Sequence, residues 1–170
     1  MNFAEDATQV LVLSRLTLDY SANQDRMKLA GVTAEGSFVI AWLSLRLLAR
    51  LIPHLLNRCE TLLAPALQNE EHSETLNQSV APEEPVIPSS GALEFLARSA
   101  DISQAAGGLI VAFRDEDNMV RFVLPKTNAM RWLGGLRKLY QVAEWPMDVW
   151  QGFDQILVSP EEEVGSVTLH

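Results

Sequence analysis

The sequence predicts an α+β fold of two antiparallel three-stranded meanders, each followed by a helix, packed together as one domain. In each half, three short segments of apolar residues alternating with polar ones are separated by turn residues, which is typical of strands. A stretch that favours a helix follows them in each half. Apolar residues make up 48% of the chain, which is enough for a hydrophobic core. A β-sandwich head with a helical insertion is the alternative fold.

The first unit covers residues 1–66 and opens with a half-buried strand. Alternation with polar residues places four apolar side chains on one face of this strand: Val10, Val12, Leu16 and Leu18. A turn over 21–25 and a second strand over 26–33 follow.

A hairpin turn over 34–36 leads to a third strand over 37–43, which has Phe38, Ile40 and Trp42 on one face. Ser44 is a suitable N-cap for a long leucine-rich helix. Pro53 lies inside this helix, where its missing amide donor predicts a kink or the start of a second helix.

Residues 67–92 differ sharply in composition from the units on either side. They contain five Glu, several Pro and no Lys or Arg, which predicts a disordered or loosely held linker. An acidic tail follows at 159–170. The formal net charge of -9 therefore belongs mainly to these two segments, and the rest of the chain is nearly neutral.

The second unit covers residues 93–158. Strands are predicted over 93–103, 109–114 and 119–124, with a charged hairpin turn over 115–118. Thr127 is the predicted cap of a helix that runs to about Glu144. A short apolar strand is expected over 155–158.

The two halves align without gaps at a shift of 82 residues, which suggests an internal duplication. Asp19 falls on Asp101 and Ser21 on Ser103. The apolar face of the third strand falls on that of its counterpart, which consists of Val120, Phe122 and Leu124. The same order of elements could also arise without duplication.

The inventory of reactive side chains does not predict an enzyme. The histidines are His54, His72 and His170, and none lies in a G-x-S-x-G context or near a second metal-ligating pair. The acidic turn over 115–118 lacks the glycine and the final glutamate of a calcium loop. The sequence therefore predicts no catalytic residue, no metal ligand and no cofactor.

Positive charge is concentrated on the two predicted helices. Arg46, Arg50, His54 and Arg58 follow one another at intervals of four residues, so they form one stripe. Candidate anion-binding residues on both helices are Arg46, Arg50, Arg58, Arg131 and Lys138. Such a surface is either an ordinary solvated helix face or a binding site for a nucleotide, an acidic peptide or a nucleic acid.

Five large aromatic residues lie close together near the end of the second unit: Trp132, Tyr140, Trp145, Trp150 and Phe153. Tyr and Trp are frequent at protein interfaces, so this segment is a candidate interface. The alternative is that these rings seal the core and hold the C-terminal segment against it.

These observations together favour a non-catalytic protein-interaction or assembly module, self-associating as a homodimer or binding another protein. Binding of an anionic ligand through the basic helix faces is the alternative, although the acidic balance of the chain disfavours nucleic acid. We expect a cytoplasmic protein, because no signal sequence precedes Glu5 and the chain has one Cys. A membrane span over 38–56 is disfavoured by Arg46 and Arg50.

Overall fold

The computed structural model describes residues 8–63 and 84–154, which form a seven-stranded mixed sheet and two α-helices. The α+β class is therefore confirmed. Most of the predicted linker, the predicted strand over 155–158 and the acidic tail lie outside the described residues. The strands are β1 (Gln9–Ser21), β2 (Arg26–Thr33), β3 (Phe38–Leu43), β4 (Leu93–Leu96), β5 (Ser99–Ala105), β6 (Gly108–Arg114) and β7 (Asn118–Pro125). The helices are α1 (Leu45–Leu63) and α2 (Lys126–Val142), and a 3-10 helix covers Asp148–Trp150.

The strand order in the sheet is β4-β3-β2-β1-β7-β6-β5. Strand β2 pairs antiparallel with β1 on one side and with β3 on the other. Strand β6 pairs antiparallel with β5 and β7 in the same way. Two parallel pairings, β1 with β7 and β3 with β4, complete the sheet. These parallel pairings, which the sequence did not predict, join the two antiparallel groups into one mixed sheet.

The two end strands of the sheet follow each other directly in the chain, with only Ala97 and Arg98 between them. The Ala97 amide donates to the Trp42 carbonyl of β3 at 3.0 Å, and the Arg98 amide donates to the Arg114 carbonyl of β6 at 2.8 Å. The sheet therefore curls until its two ends meet at this point. The single strand expected over 93–103 is two strands, because the chain changes its pairing partner there.

Strand β1 changes partner in the same way, and a β-bulge accompanies the change. Its first residues pair with β7, and from Leu13 onward it pairs with β2. The register shifts between Leu13 and Arg15, which leaves Ser14 as the extra residue. The bulge reverses the alternation of faces, so Leu13 is buried whereas Val10 and Val12 are exposed. The expectation that those two valines share the core face with Leu16 and Leu18 was therefore wrong.

The alignment of the two halves matched one face of β3 to the buried face of β7, but the structure buries the other face of β3. Val39, Ala41 and Leu43 are fully buried, whereas Phe38, Ile40 and Trp42 are half-buried on the other face. On β7 the buried residues are Val120, Phe122 and Leu124. A shift of 82 residues consequently superposes opposite faces of these two strands. The sequence could not show which face of β3 is buried, because every residue of this strand is apolar and none alternates with a polar one.

Helix α1 begins where the sequence predicted. The Leu47 amide donates to the Ser44 side-chain oxygen at 3.2 Å, which confirms Ser44 as the N-cap. The helix continues through Pro53, which is exposed, so the missing hydrogen bond lies on the solvent side.

Burial raises the pKa of the Cys59 thiol, near the end of helix α1, to about 11. Neither helix in the described part of the chain has the length and hydropathy of a membrane span.

Helix α2 begins directly after β7, and the expected cap at Thr127 was wrong. Pro125 occupies the N-cap position with φ -60° and ψ 144°, and no side chain caps the helix. The Lys126 amide instead donates to the Gly107 carbonyl at 2.9 Å, which anchors the first turn to the neighbouring hairpin. The buried face of the helix consists of Ala129, Leu133, Leu136 and Tyr140.

The final residues of the predicted linker pack against the sheet. Val86 is buried, and its amide donates to the Thr17 side-chain oxygen on β1 at 2.9 Å. Thr17 alternates with the core-packed Leu16 and Leu18, so it lies on the outer face of the sheet. The chain around Val86 therefore covers part of that outer face.

Candidate functional site

A groove of about 420 Å³ lies between helix α1 and the first residues of β5, and we call it the α1–β5 groove. Its helical side is formed by Leu47, Arg50, Leu51, His54 and Arg58. Side chains four residues apart lie on the same face of a helix, so the two arginines and the histidine form one continuous rim. The sequence pattern alone predicted this stripe.

The strand side of the α1–β5 groove is formed by Arg98 and the residues that follow it, Ser99, Ala100, Asp101 and Ile102. Ala100 and Ile102 are partly buried and pack on the hydrophobic core. Arg98 lies at the point where the chain passes from β4 to β5. This arginine was missed by the sequence reasoning, because only the curling of the sheet brings it to α1.

Arg98 and Asp101 already have charged partners. Arg98 Nη1 lies 3.1 Å from Glu116 Oε1, and both side chains are largely exposed, so this ion pair contributes little to stability. Arg114 Nη2 lies 3.5 Å from Asp101 Oδ2. The negative charge of Asp101 is therefore balanced within the sheet.

The side chains that α1 contributes to the groove have no such partners among the described residues. No ion pair there involves Arg50, His54 or Arg58. Arg46 and Arg50 are like charges spaced four residues apart, and such a pair destabilises a helix by roughly 0.2–0.5 kcal/mol. The α1 rim of the groove is thus a positive surface that a bound anion would stabilise.

The structure brings together only part of the predicted anion-binding set. Arg50 and Arg58 line the α1–β5 groove, together with His54 and Arg98. Arg46 is exposed one turn earlier on α1 and does not line it. Two other predicted members, Arg131 and Lys138, are exposed on α2 and do not line it either.

Four of the five aromatic residues proposed as an interface are buried within the chain. These four are Tyr140, Trp145, Trp150 and Phe153. The Tyr140 ring meets Trp145 and Trp150 edge to face, at centroid distances of 5.1 and 5.5 Å. Trp150 contacts Phe153 in the same way at 5.5 Å. In this conformation these rings close the core, so a surface for a second chain would have to lie elsewhere.

The remaining member of the set, Trp132, is half-buried and packs beside Phe122 at a centroid distance of 5.8 Å. The guanidinium group of Arg137 lies over the Phe153 ring at 5.2 Å and also binds Asp154 at 3.1 Å. These contacts hold the C-terminal end of the described chain against α2.

The turn between β1 and β2 is connected to the aromatic cluster through Asp25. Trp145 Nε1 donates to Asp25 Oδ1 at 2.9 Å, and Tyr20 Oη donates to the same oxygen at 2.8 Å. These hydrogen bonds, first that of Trp145 and then that of Tyr20, lower the pKa of the Asp25 carboxyl. Asp25 has a positive φ of 47°, which asparagine also adopts readily.

We expect Asp25→Asn to remove a pH-dependent part of the stability while preserving the turn. Because the folded pKa of Asp25 is below its ordinary value of 3.8, its contribution is present above that value and is lost as the pH falls through the folded pKa. Urea unfolding between pH 7 and pH 3 measures the free energy of unfolding of both proteins. The wild type should be the more stable at pH 7, and the difference should shrink as the pH falls. Asp117→Asn is the control, because Asp117 lies in an exposed turn. A difference in unfolding free energy between wild type and Asp25→Asn that stays constant with pH would contradict the expectation.

The acidic turn over 115–118 is a structural turn. Asp115 Oδ1 accepts the amides of Asp117 at 2.9 Å and Asn118 at 2.7 Å. Burial by itself raises the pKa of Asp115, but the hydrogen bonds from Asn118 and Asp117 outweigh it and lower the pKa. The part of the chain that the structure describes holds no group of acidic, His or Cys residues suited to a metal ion.

Comparison of the chain with family models, curated proteins and solved structures found no match. No relative therefore supplies a function by analogy. The chemistry of the α1–β5 groove and of the exposed sheet faces is the basis for inferring one.

Proposed function

We propose that this protein is a non-catalytic binding module that holds an anionic ligand in the α1–β5 groove. One observation carries the proposal: Arg50, His54 and Arg58 line a single groove with Arg98, and the three α1 side chains have no ion-pair partner among the described residues. A ligand with negative charge would neutralise this rim. Guanidinium groups suit the task because they bind carboxylates and phosphates in a bidentate manner.

The electrostatics of the described residues favour binding over catalysis. Side chains whose pKa is clearly shifted lie outside the groove: Tyr20, Asp25, Cys59, Asp115 and Tyr140. Strongly perturbed groups gathered in a cleft are what a catalytic site usually shows. The groove instead presents the guanidinium groups of Arg50, Arg58 and Arg98.

The size of the groove favours a small ligand or a single acidic segment over a nucleic acid. Its volume of about 420 Å³ lies within the range of roughly 300–1,000 Å³ that is usual for small-molecule sites. A nucleic acid requires a wider basic surface. Arg131 and Lys138 would have to extend this surface, and they do not line the groove.

Arg50→Gln and Arg58→Gln are expected to weaken anion binding about 10-fold or more each, since a hydrogen bond to a charged group contributes about 1.5–3 kcal/mol. Titration calorimetry with inorganic pyrophosphate as the probe measures the effect. Binding should also weaken between 50 and 200 mM salt, because these cations are exposed.

Arg131→Gln and Lys138→Gln are matched controls, because they remove exposed cations of α2 that lie outside the groove. They should leave pyrophosphate binding within about two-fold of the wild type if the groove is the site. Equal losses in all four variants would indicate non-specific attraction and would contradict the proposal.

Self-association is a second candidate function, and the outer face of β1 and β7 favours it. Val10, Val12 and Val123 are 45%, 49% and 53% exposed on these neighbouring strands. The outer face near Thr17 is covered by Val86, whereas no described residue covers these three valines in the same way. A second copy of the chain would bury this apolar surface.

Val12→Glu should shift a wild-type dimer to monomer in light scattering, because the new charge would be buried against the partner. Val142→Glu is the control, since Val142 is 69% exposed on α2, which the proposed interface does not include. A wild-type protein that stays monomeric at high concentration would remove this candidate function.

We also infer an internal duplication and a cytoplasmic location. The pairing pattern supports the duplication, because β1 begins parallel and continues antiparallel, as β4 and β5 do in succession. The opposite buried faces of β3 and β7 mean that the two halves do not align there at the gap-free shift of 82 residues. The location is supported by Cys59, which is the one cysteine of the chain and is a buried free thiol.

A further inference from the structure

We infer that the ligand of the α1–β5 groove is an amphipathic organic anion, with an apolar body on the groove floor and a phosphate or carboxylate group at the α1 rim. This inference rests on the proposed function and deepens it. It follows from the distribution of apolar and charged side chains within the groove.

The floor of the groove is apolar on both sides. Leu47 and Leu51 come from α1, and Ala100 and Ile102 come from β5. Leu47, Ala100 and Ile102 are only partly buried, so each keeps some apolar surface outside the core. A ligand with an apolar body would remove this surface from water, which a simple inorganic anion cannot do.

The side chains of the α1 rim are exposed above the apolar floor. Arg50, His54 and Arg58 follow each other at about 6 Å intervals along the axis of α1, from the helical rise of about 1.5 Å per residue. On the strand side, Arg98 is already paired with Glu116, and the carboxylate of Asp101 is already paired with Arg114. A negative group would therefore be attracted to the helical side, with the body directed across to β5.

The volume sets the size of the ligand. At about 420 Å³, the groove lies towards the low end of the range of roughly 300–1,000 Å³ that is usual for small-molecule sites. An aromatic or short alkyl group carrying one phosphate or carboxylate has this size.

Titration calorimetry of the full chain with 1-naphthyl phosphate, 1-naphthoate, 1-naphthol and inorganic phosphate tests the inference. We expect at least one naphthyl anion to bind 10-fold or more tightly than both 1-naphthol and inorganic phosphate. Whichever of 1-naphthyl phosphate and 1-naphthoate binds more tightly identifies the preferred head group as a phosphate or a carboxylate. Arg50→Gln should weaken this anion about 10-fold and leave 1-naphthol unchanged.

Ile102→Thr should weaken the naphthyl anion several-fold and leave inorganic phosphate unchanged, because it adds a hydroxyl to the floor. Leu47→Asn makes the floor more polar on the α1 side, and it serves as the second variant if Ile102→Thr does not fold. Inorganic phosphate binding as tightly as the naphthyl anions would overturn the amphipathic ligand and leave the proposed function standing. Binding of 1-naphthol as tightly as the anions, or of no probe at all, would overturn both.

Discussion

Trp150→Ala is expected to lower the free energy of unfolding by about 3–5 kcal/mol, the usual cost of truncating a buried aromatic side chain. Trp150 is 4% exposed and lies between the rings of Tyr140 and Phe153, with 5.5 Å between centroids on each side. Its loss would leave a cavity next to α2 and would release the C-terminal end of the described chain. Urea denaturation of the wild type and the variant at the same protein concentration measures this loss.

The same variant separates the two interpretations of the aromatic segment. Trp132→Ala is the control, because Trp132 is half-buried and its truncation should cost less. If the rings close the core, Trp150→Ala destabilises the chain and leaves the oligomeric state measured by light scattering as it was. Dissociation of an oligomer without any change in unfolding free energy would contradict the buried cluster and restore the interface interpretation.

Ala97→Pro is expected to lower the free energy of unfolding by about 3 kcal/mol or more, as for proline at other hydrogen-bonded backbone positions. The Ala97 amide donates to the Trp42 carbonyl at the point where the ends of the sheet meet. Proline has no amide hydrogen and restricts the conformation of Leu96 before it. The variant therefore acts on the pairing of β4 with β3 and on the closure of the sheet.

Ala97→Gly separates the loss of the hydrogen bond from the loss of the side chain. It keeps the amide and removes one buried methyl group, so it should cost roughly 1 kcal/mol. Thermal unfolding of both variants gives the comparison. Equal destabilisation by proline and glycine would show that the hydrogen bond to β3 does not hold the sheet closed.

Closure of the sheet also connects the fold to the proposed ligand site. Arg98 follows Ala97 directly and lines the α1–β5 groove, so the residue that closes the sheet is next to one that would bind the anion. The chain reaches α1 only because it leaves β3 and joins β6 at this point. Ala97→Pro should consequently weaken binding of the anion as well as stability.

Several features could be predicted from the sequence because they depend on neighbouring residues alone. The cap at Ser44 requires only a hydroxyl before a run of helix-forming residues, and the structure shows that hydrogen bond. The stripe of Arg50, His54 and Arg58 follows from helical spacing. The turns between strands follow from Gly36 and from the polar residues 115–118.

Other features depended on contacts between distant parts of the chain. The core face of β3 could not be predicted, since all its residues are apolar and packing on both sides decides the orientation. The bulge at Ser14 reverses the faces of β1 without any sequence signal in the alternation itself. The aromatic cluster allowed both an interface and a core, and only burial within the chain distinguishes them.

The sequence by itself determined the α+β class, the start of α1 and the positive stripe along it, because helical and strand periodicity are local properties. The tertiary structure decided which faces are buried, how the two ends of the sheet meet and that Arg98 joins that stripe. These features arise from hydrogen bonds between strands far apart in the chain. Their register depends on the packing of the whole core, which no single segment encodes.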